Sequence, residues 1–299
     1  MNSKNTLMSK SKINQHIGIL TNIGCVSITR QKVLKTVLER LTINSRLIIV
    51  TPNAEIALQA MRDKRFSNIL ESAHIVLPDG IGLIAAVKFI RMYCPKSKIA
   101  RFPLFIVQGI VIGLSILINK KWLTKDINLI KGREMFVDLV KLANERKWKV
   151  YFLGGCGNEA KEAVDELKKK YVHVRFMYKE GPLLTLNAQP ATPADIKLNE
   201  AVIESIKKYK PHMLFVAFGA PKQEKWIADN LNKLPVGLAM TVGGSFKFIS
   251  GKSKLPPRLV ENLGLEAMWR LVTEPWRFKR VFNACVVFPY DIFKAKLAQ

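Results

Sequence analysis

The amino-acid sequence predicts an α/β protein: a parallel, doubly wound sheet with helices on both faces, followed by a C-terminal helical appendage. Three observations carry that prediction. Short apolar, β-branched runs alternate with amphipathic segments of helical period, the pattern of βαβ units. Several of these runs end in turn residues, where a parallel sheet presents its ligand crevice: Asp79, Gly154-Gly155, Gly219 and Gly243-Gly244. The alternation stops near Ser250, and the remaining residues are helical in pattern and rich in Arg and Trp.

The elements come in this order along the chain. "RLIIVT" (46–51) is a buried strand, and "NAEIALQAMRDKRFSNILES" (53–72) a helix with Asn53 as N-cap. "AHIVLP" is the second strand. "KVYFLGG" (149–155) is the third, and a helix runs from about Asn158 to Tyr171. "VHVRFMY" (172–178) is a strand, "LNEAVIESIKKY" a helix, "HMLFVAFG" (212–219) a strand and "KQEKWIADNL" a helix; "VGLAMTVGG" (236–244) closes the sheet. These boundaries divide the chain into a Rossmann-like α/β domain over 1–250 and an arginine-rich helical appendage over 251–299.

The 299 residues, 48% hydrophobic, suffice for a sizeable core. Lys and Arg number 48 against 23 Asp and Glu, a net charge of +25 that favours a polyanionic partner: nucleic acid, an anionic membrane surface or phosphorylated substrates. Cys25, Cys94, Cys156 and Cys285 are scattered without a CxxC pair, so neither a zinc site nor a disulfide framework is expected, and a reducing cytosol fits best. The polar N-terminus lacks the apolar core of a signal peptide. His16, His74, His173 and His212 have no metal-ligand spacing and read as structural; with no Asp-x-Asp motif present, neither a metal nor a cofactor is expected.

One segment interrupts the alternation. Residues 99–123, "IARFPLFIVQGIVIGLSILINKKWL", are charge-free from Phe102 to Ile118. That run is close to the roughly 20 apolar residues a spanning helix needs, but it contains Pro103, Gln108 and Gly109. Between Lys88 and Arg133 there are ten basic residues and one acid, Asp126. The composition suits a shallow membrane helix or a hairpin bent at Gly109 and Gly113; packing inside the protein is the plainer alternative.

Among the motifs, "LGGCGNEA" (153–160) carries Gly155-x-Gly157-x-x-Ala160 between a strand and a helix, with Glu180 near the distance of a ribose-binding acid. It reads equally as a phosphate loop on helix N-terminal amides or as a tight turn. "FGAPKQEKW" (218–226) brings Gly219, Lys222 and Gln223 to a helix start, where proline and acids are common for structural reasons alone. "VGGSFKFISGK" (242–252) is a glycine turn, through which backbone amides can approach a ligand or which is a bare turn. Arg270, Arg277 and Arg280, spaced by seven and three, share one face if a helix passes Pro275; they are a solvated basic face or a guanidinium cluster for a diphosphate. In "VLPDGIG" (76–82), Asp79 is either a turn residue or a carboxylate held at the crevice to accept a proton.

Taken together, "TPNAEIALQA", "LPDGIG", "FLGGCGNEA", "FGAPKQEKWI", "VGGSFKFISGK" and "PPRLVENLGLEAMWRLVTEPWRFKR" occur in an order that resembles the WecG/TagA/CpsF glycosyltransferases over roughly Ile17 to Phe282. The resemblance implies a Rossmann-like domain with a C-terminal appendage. It implies an inverting, metal-independent transfer of an N-acetylmannosamine-type sugar from a UDP-sugar to an undecaprenyl-diphosphate-linked acceptor. The setting it implies is the inner face of the cell membrane, where the enzyme is a peripheral protein in cell-surface polymer synthesis. It assigns the base to Asp79, with Thr51, Asn53 and Gln223 also in the active site. Gly154, Gly155, Gly219, Lys222, Gly243 and Gly244 would contact substrate, and Arg270, Arg277 and Arg280 would close over diphosphates. The chain departs from the family pattern at Lys247, where an acid associated with the nucleotide ribose is usual, and at Leu129, where an arginine is usual; Gly132 and Glu134 of that second motif survive. The segment near 99–123 reads as an insertion.

Two other classes compete. An NAD-type oxidoreductase would use Gly155-x-Gly157 and Glu180 but leaves Asp79 and the appendage arginines idle. A basic nucleic-acid-binding protein would explain the charge, but no recognised nucleic-acid motif is present, and no nucleic-acid partner is expected. A homo-oligomer is possible on the sequence alone.

Overall fold

The computed structural model describes residues 28–299, apart from the side chain of Asn262. The N-terminal signal-peptide reading, His16 and Cys25 lie outside the described residues. In chain order the first half comprises α1 (Arg30–Thr42), β1 (Leu47–Val50), α2 (Ala54–Arg62), α3 (Lys64–Glu71), β2 (Ile75–Val76), α4 (Ile81–Arg91), α5 (Lys98–Ile118), α6 (Lys120–Thr124), α7 (Gly132–Glu145) and β3 (Lys149–Gly154). The second half comprises α8 (Glu159–Lys170), β4 (Arg175–Lys179), α9 (Pro193–Tyr209), β5 (Met213–Ala217), α10 (Lys222–Asn230), β6 (Leu238–Thr241), α11 (Ser245–Ile249), α12 (Arg258–Leu263), α13 (Glu266–Thr273), α14 (Phe278–Phe282) and α15 (Phe288–Leu297). A 3₁₀ turn at Pro275–Arg277 joins α13 to α14, and a π turn at Asn283–Val287 joins α14 to α15.

The sheet is six-stranded and parallel throughout, in the order β2-β1-β6-β5-β3-β4. This is the expected α/β class. Strands β3, β5 and β6 are almost wholly buried, as a parallel sheet covered on both faces requires. Alternate residues feed two cores. Phe152, Phe215 and Met240 point to one face, where Phe136, Phe152, Phe215 and Phe246 form a ring cluster with centroids 4.6–5.9 Å apart. Tyr151, Leu214, Val216 and Ala239 point to the other, against Val202, Ile206 and Trp226. Adjacency of β1 and β6 brings Thr51 beside Thr241, whose carbonyl accepts from Thr51 Oγ1 at 3.5 Å.

The predicted helix over 53–72 is two helices. Asp63 sits between them in extended geometry (φ −129°, ψ 103°), and its carboxylate caps the second by accepting from the Phe66 N–H at 3.0 Å. A side chain that bonds its own backbone in this way competes with helix continuation. Lys225 Nζ also donates to Asp63, at 2.6 Å, which ties the break to α10.

A third core lies beside the sheet, where α2, α4, α5 and α15 meet around Phe66, Phe89, Phe105, Phe288 and Ile292. Residues 98–118 form one continuous helix, so the bend anticipated at Gly109 and Gly113 is absent. Pro103 is tolerated because the carbonyl its missing N–H would serve belongs to Ile99, in the solvent-open first turn. Gln108, the polar residue in the apolar run, faces inward: it donates to the Tyr93 carbonyl at 2.8 Å and accepts from Lys296 at 2.6 Å. Lys296 is fully buried, also donates to the Phe89 carbonyl at 2.5 Å, and burial pulls its ammonium down to about 8. The opposite face of α5 is apolar and open, with Val107, Ile110 and Leu114 all more than half exposed.

Candidate active site

Asp79 is placed by backbone bonds that prolong the sheet past its last paired residues. Leu77 N–H donates to Val50 O at 2.9 Å and Asp79 N–H to Pro52 O at 2.8 Å. Gly80 then turns the chain into α4 at φ 101°, which a side chain rarely adopts. The Asp79 carboxylate faces a cavity of about 870 Å³ and accepts the backbone N–H of Gly132, at the N-terminus of α7. Gly132 packs closely on Thr51: a Cβ there would meet Thr51 Cβ and Cγ2 at 3.0 Å, so Thr51 would have to give by a few tenths of an ångström. Burial pushes the Asp79 carboxyl up to about 6, helped by Glu266 and opposed by Arg270, Arg133 and the Gly132 amide. It is therefore mostly ionised at neutral pH yet basic enough to accept a proton, the range suited to a general base.

Asn53, Arg270, Arg277 and Arg280 line the same cavity. Asn53 is a true N-cap, its side-chain oxygen accepting from the Ile56 N–H at 3.0 Å. The three arginines do not share one helix. α13 ends at Thr273, Glu274 leaves helical geometry (φ −137°, ψ 72°) and a 3₁₀ turn intervenes, because a residue before proline disfavours helical geometry. They converge nonetheless. Arg270 lies 5.2 Å over the Phe248 ring, Arg277 pairs with Glu274, and Arg280 Nε donates to both Glu55 oxygens at 2.8 Å. Burial and the neighbouring Arg277 pull Arg270 below its usual value, while Asp79, Glu266 and Glu274 oppose this.

Sequence reasoning missed Glu55, Lys120, Lys131, Glu261 and Glu266, which also line the cavity. Lys131 bridges Glu261 and Glu266 at 3.0 Å each. Four of the five carried a signal: Glu55 lies inside "TPNAEIALQA", Lys131 immediately precedes Gly132, and Glu261 and Glu266 lie inside "PPRLVENLGLEAMWRLVTEPWRFKR". Leu129 lines the cavity as well, so the missing arginine leaves an apolar wall. Lys247 donates to Glu274 at 2.5 Å. The carboxylate absent at position 247 thus has a counterpart from the appendage, held between Lys247 and Arg277.

The remaining predicted residues lie along the neighbouring strand ends, outside this cavity. Gly154 and Gly155 both have φ 88°, and a Cβ on Gly154 would meet Phe218 Cδ1 at 2.9 Å. Gly219 (φ 73°), Gly243 (φ 49°) and Gly244 face open space. Lys222 is half-buried at the start of α10. Gln223 is buried; its oxygen accepts the Gly243 N–H at 3.1 Å and its nitrogen donates to Glu224 at 2.8 Å, so it braces the glycine turn. Burial pushes Glu224 up to about 7. In the dinucleotide-like loop, the Cys156 N–H donates to the Glu159 carboxylate at 3.0 Å, and Glu162 lies one turn later. Two acids at this helix start oppose a pyrophosphate there, which weighs against the NAD-type reading.

The sequence matches the glycosyl transferase WecG/TagA/CpsF family over residues 19–108 and 104–299. Curated relatives similar to it are N-acetylglucosaminyldiphosphoundecaprenol N-acetyl-beta-D-mannosaminyltransferases from three bacteria. That of Bacillus subtilis (strain 168) is 27% identical over 237 residues, covering 79% of this chain and 75% of the relative. That of Bacillus spizizenii is 28% identical over 241 residues, covering 80% and 76%. That of Staphylococcus aureus (strain NCTC 8325) is 26% identical over 252 residues, covering 84% and 82%.

Proposed function

The chain belongs to the WecG/TagA/CpsF family and is a glycosyltransferase of cell-wall polymer synthesis, and from that premise we propose that it moves an N-acetylmannosamine-type sugar from a UDP-sugar to an undecaprenyl-diphosphate-linked acceptor with inversion and without a metal. The observation that carries this reading is the cavity: a carboxylate tuned to about 6 at its floor, three arginines around it, and walls that turn apolar. Asp79 takes the proton of the acceptor hydroxyl. The freed oxygen forms the bond to the anomeric carbon, and the bond from that carbon to the diphosphate breaks, so UDP departs with the electron pair. Attack opposite the leaving group inverts the centre. Arg270, Arg277 and Arg280 are the donors for diphosphate oxygens, with the bidentate reach that suits guanidinium groups. The turns at Gly154-Gly155, Gly219 and Gly243-Gly244, with Lys222 beside them and Gln223 bracing the last, form the donor-nucleotide side. Asn53 lines the cavity near the base, and Thr51 packs behind it against Gly132.

The enzyme works as a peripheral protein on the inner face of the cell membrane. The open apolar face of α5 and its basic flanks, Arg101 and Lys120-Lys121, support that placement. Among the described residues α5 is the one helix long and apolar enough to cross a bilayer. Phe105, Gln108 and Ile112 tie it to the protein, which favours lying along the surface. A screen of UDP-sugars against a lipid-diphosphate-linked N-acetylglucosamine acceptor, read by product mass, tests the reading; no product with any donor overturns it.

A further inference from the structure

The cavity at Asp79 does not end with the charged residues. It continues between α5 and the C-terminal turns, where the lining side chains are apolar apart from the Cys285 thiol and, at the Ile116 end, Lys120. On α5 the lining residues are Gly109, Ile112, Gly113 and Ile116, a spacing that keeps them on one face. Facing them are Ala284, Cys285, Phe288 and Ile292, from the π turn and α15. Where two helices pack closely, glycines four apart allow the backbones to touch. Here they do the opposite: a Cβ on either Gly109 or Gly113 meets nothing within 4 Å. The small residues hold a gap open. From Gly109 to Ile116 the helix rises about 10 Å at 1.5 Å per residue. The gap lies on the helix whose other face is the exposed apolar surface.

Building on the acceptor assignment above, we propose that this apolar arm holds the first isoprene units of the acceptor's polyprenyl chain, so that lipid and diphosphate are read within one void. The occupant is argued from continuity. A ligand filling the whole cavity carries an anionic group at Arg270, Arg277 and Arg280, and beyond it a chain without polar atoms. A polyprenyl diphosphate has that order of parts, and the arm leads it out along α5 toward the bilayer. Selectivity for lipid length then resides in the arm, apart from the chemistry at Asp79.

The test compares two acceptors carrying the same sugar diphosphate, one on a long polyprenyl chain and one on a short, water-soluble alkyl chain. Gly113→Leu directs a side chain into the open gap. It is expected to lower the long-to-short ratio of kcat/KM about tenfold or more, through KM for the long acceptor. A ratio equal to that of the parent, in a variant melting at the parent temperature, overturns the proposal. A second measurement needs no variant. Cys285 is free, exposed and part of the arm, so its alkylation by a maleimide, read by peptide mass mapping, should be slowed by the long acceptor and not by the short one. Equal alkylation with both acceptors at saturation also overturns it. If the parent transfers to neither acceptor, the functional reading itself fails and the lipid arm fails with it.

Discussion

Two regions at the carboxyl ends of the strands are built differently. The glycine turns after β3, β5 and β6 are made of backbone and short-range contacts. Gln223 braces Gly243 from twenty residues away, Glu159 caps its own loop, and Gly155 N–H donates to Ala217 O at 3.0 Å. The Asp79 cavity is made of side chains brought from opposite ends of the chain: Glu55 and Arg280 are 225 positions apart. The first region is preorganised by folding of the sheet. The second is completed by residues of the appendage, and its charges are matched to one another, Arg280 to Glu55 and Arg277 to Glu274. Under the proposed function, a substrate diphosphate entering there would compete with those carboxylates. The difference teaches that one region rests on backbone geometry and the other on paired side chains, so under the proposed function donor and acceptor recognition would be separable.

The sharpest way to break this division is Asp79→Asn. Transfer should fall roughly 10²–10⁴-fold, the span of a positioned acid–base group, while UDP still protects the protein in a thermal-shift assay. Near-parent turnover removes the base from the cavity side. Next in size is the pH profile. With Asp79 at about 6, kcat/KM should drop about tenfold per unit below that point. Stability moves the other way. The folded-state value lies above the unfolded one, so ionising Asp79 costs stability as pH rises from about 4 to 6, on the order of 2–3 kcal/mol. Asp79→Asn should accordingly raise Tm at pH 7–8 and leave it unchanged near pH 4; an equal shift at both pH values shows that another group is responsible.

Arg270→Ala and Arg277→Ala should each weaken the acceptor by about ten- to a hundredfold, from lost charge-assisted hydrogen bonds, with the donor KM little changed. A donor defect instead would merge the two regions. Gln223→Ala is the converse probe. Unbracing Gly243 should raise the donor KM about tenfold and spare the acceptor. The smallest effect concerns the membrane face. Deleting 99–123 would remove Phe105, Gln108 and Ile112 from the third core, so exposed positions are the cleaner target. Val107→Glu with Leu114→Glu should release the protein from anionic vesicles in a sedimentation assay while UDP binding persists. Unchanged sedimentation moves the anchor to the appendage, where Val272, Trp276 and Phe278 are exposed.

Much of the fold was legible because its causes are local. Short apolar, β-branched runs marked the six strands of the described residues, segments of 3.6 period marked helices between them, and Asn53 announced its cap. The features that escaped were places where one side chain chose between local and distant partners. Asp63 broke a helix by capping its own successor while taking Lys225, and Gln108 looked like a flaw in an apolar run until Lys296, 188 positions away, met it. In the site, Asp79 and the arginines were legible as residue types at strand ends and in a basic segment. That Lys131 would bridge Glu261 and Glu266 was not, since nothing in their spacing marks them as partners.

By itself, then, the sequence determined the parallel α/β sheet, the crevice at its carboxyl edge and the identity of the carboxylate there, because strand pattern and turn chemistry act over a few residues. Tertiary structure alone decided that Pro275 would divide the appendage without separating its arginines, that burial would tune Asp79 to about 6, and that Gly109 and Gly113 would open a gap rather than bend a helix. Each of those depends on which surfaces exclude water together, a property of the closed chain and not of any stretch within it.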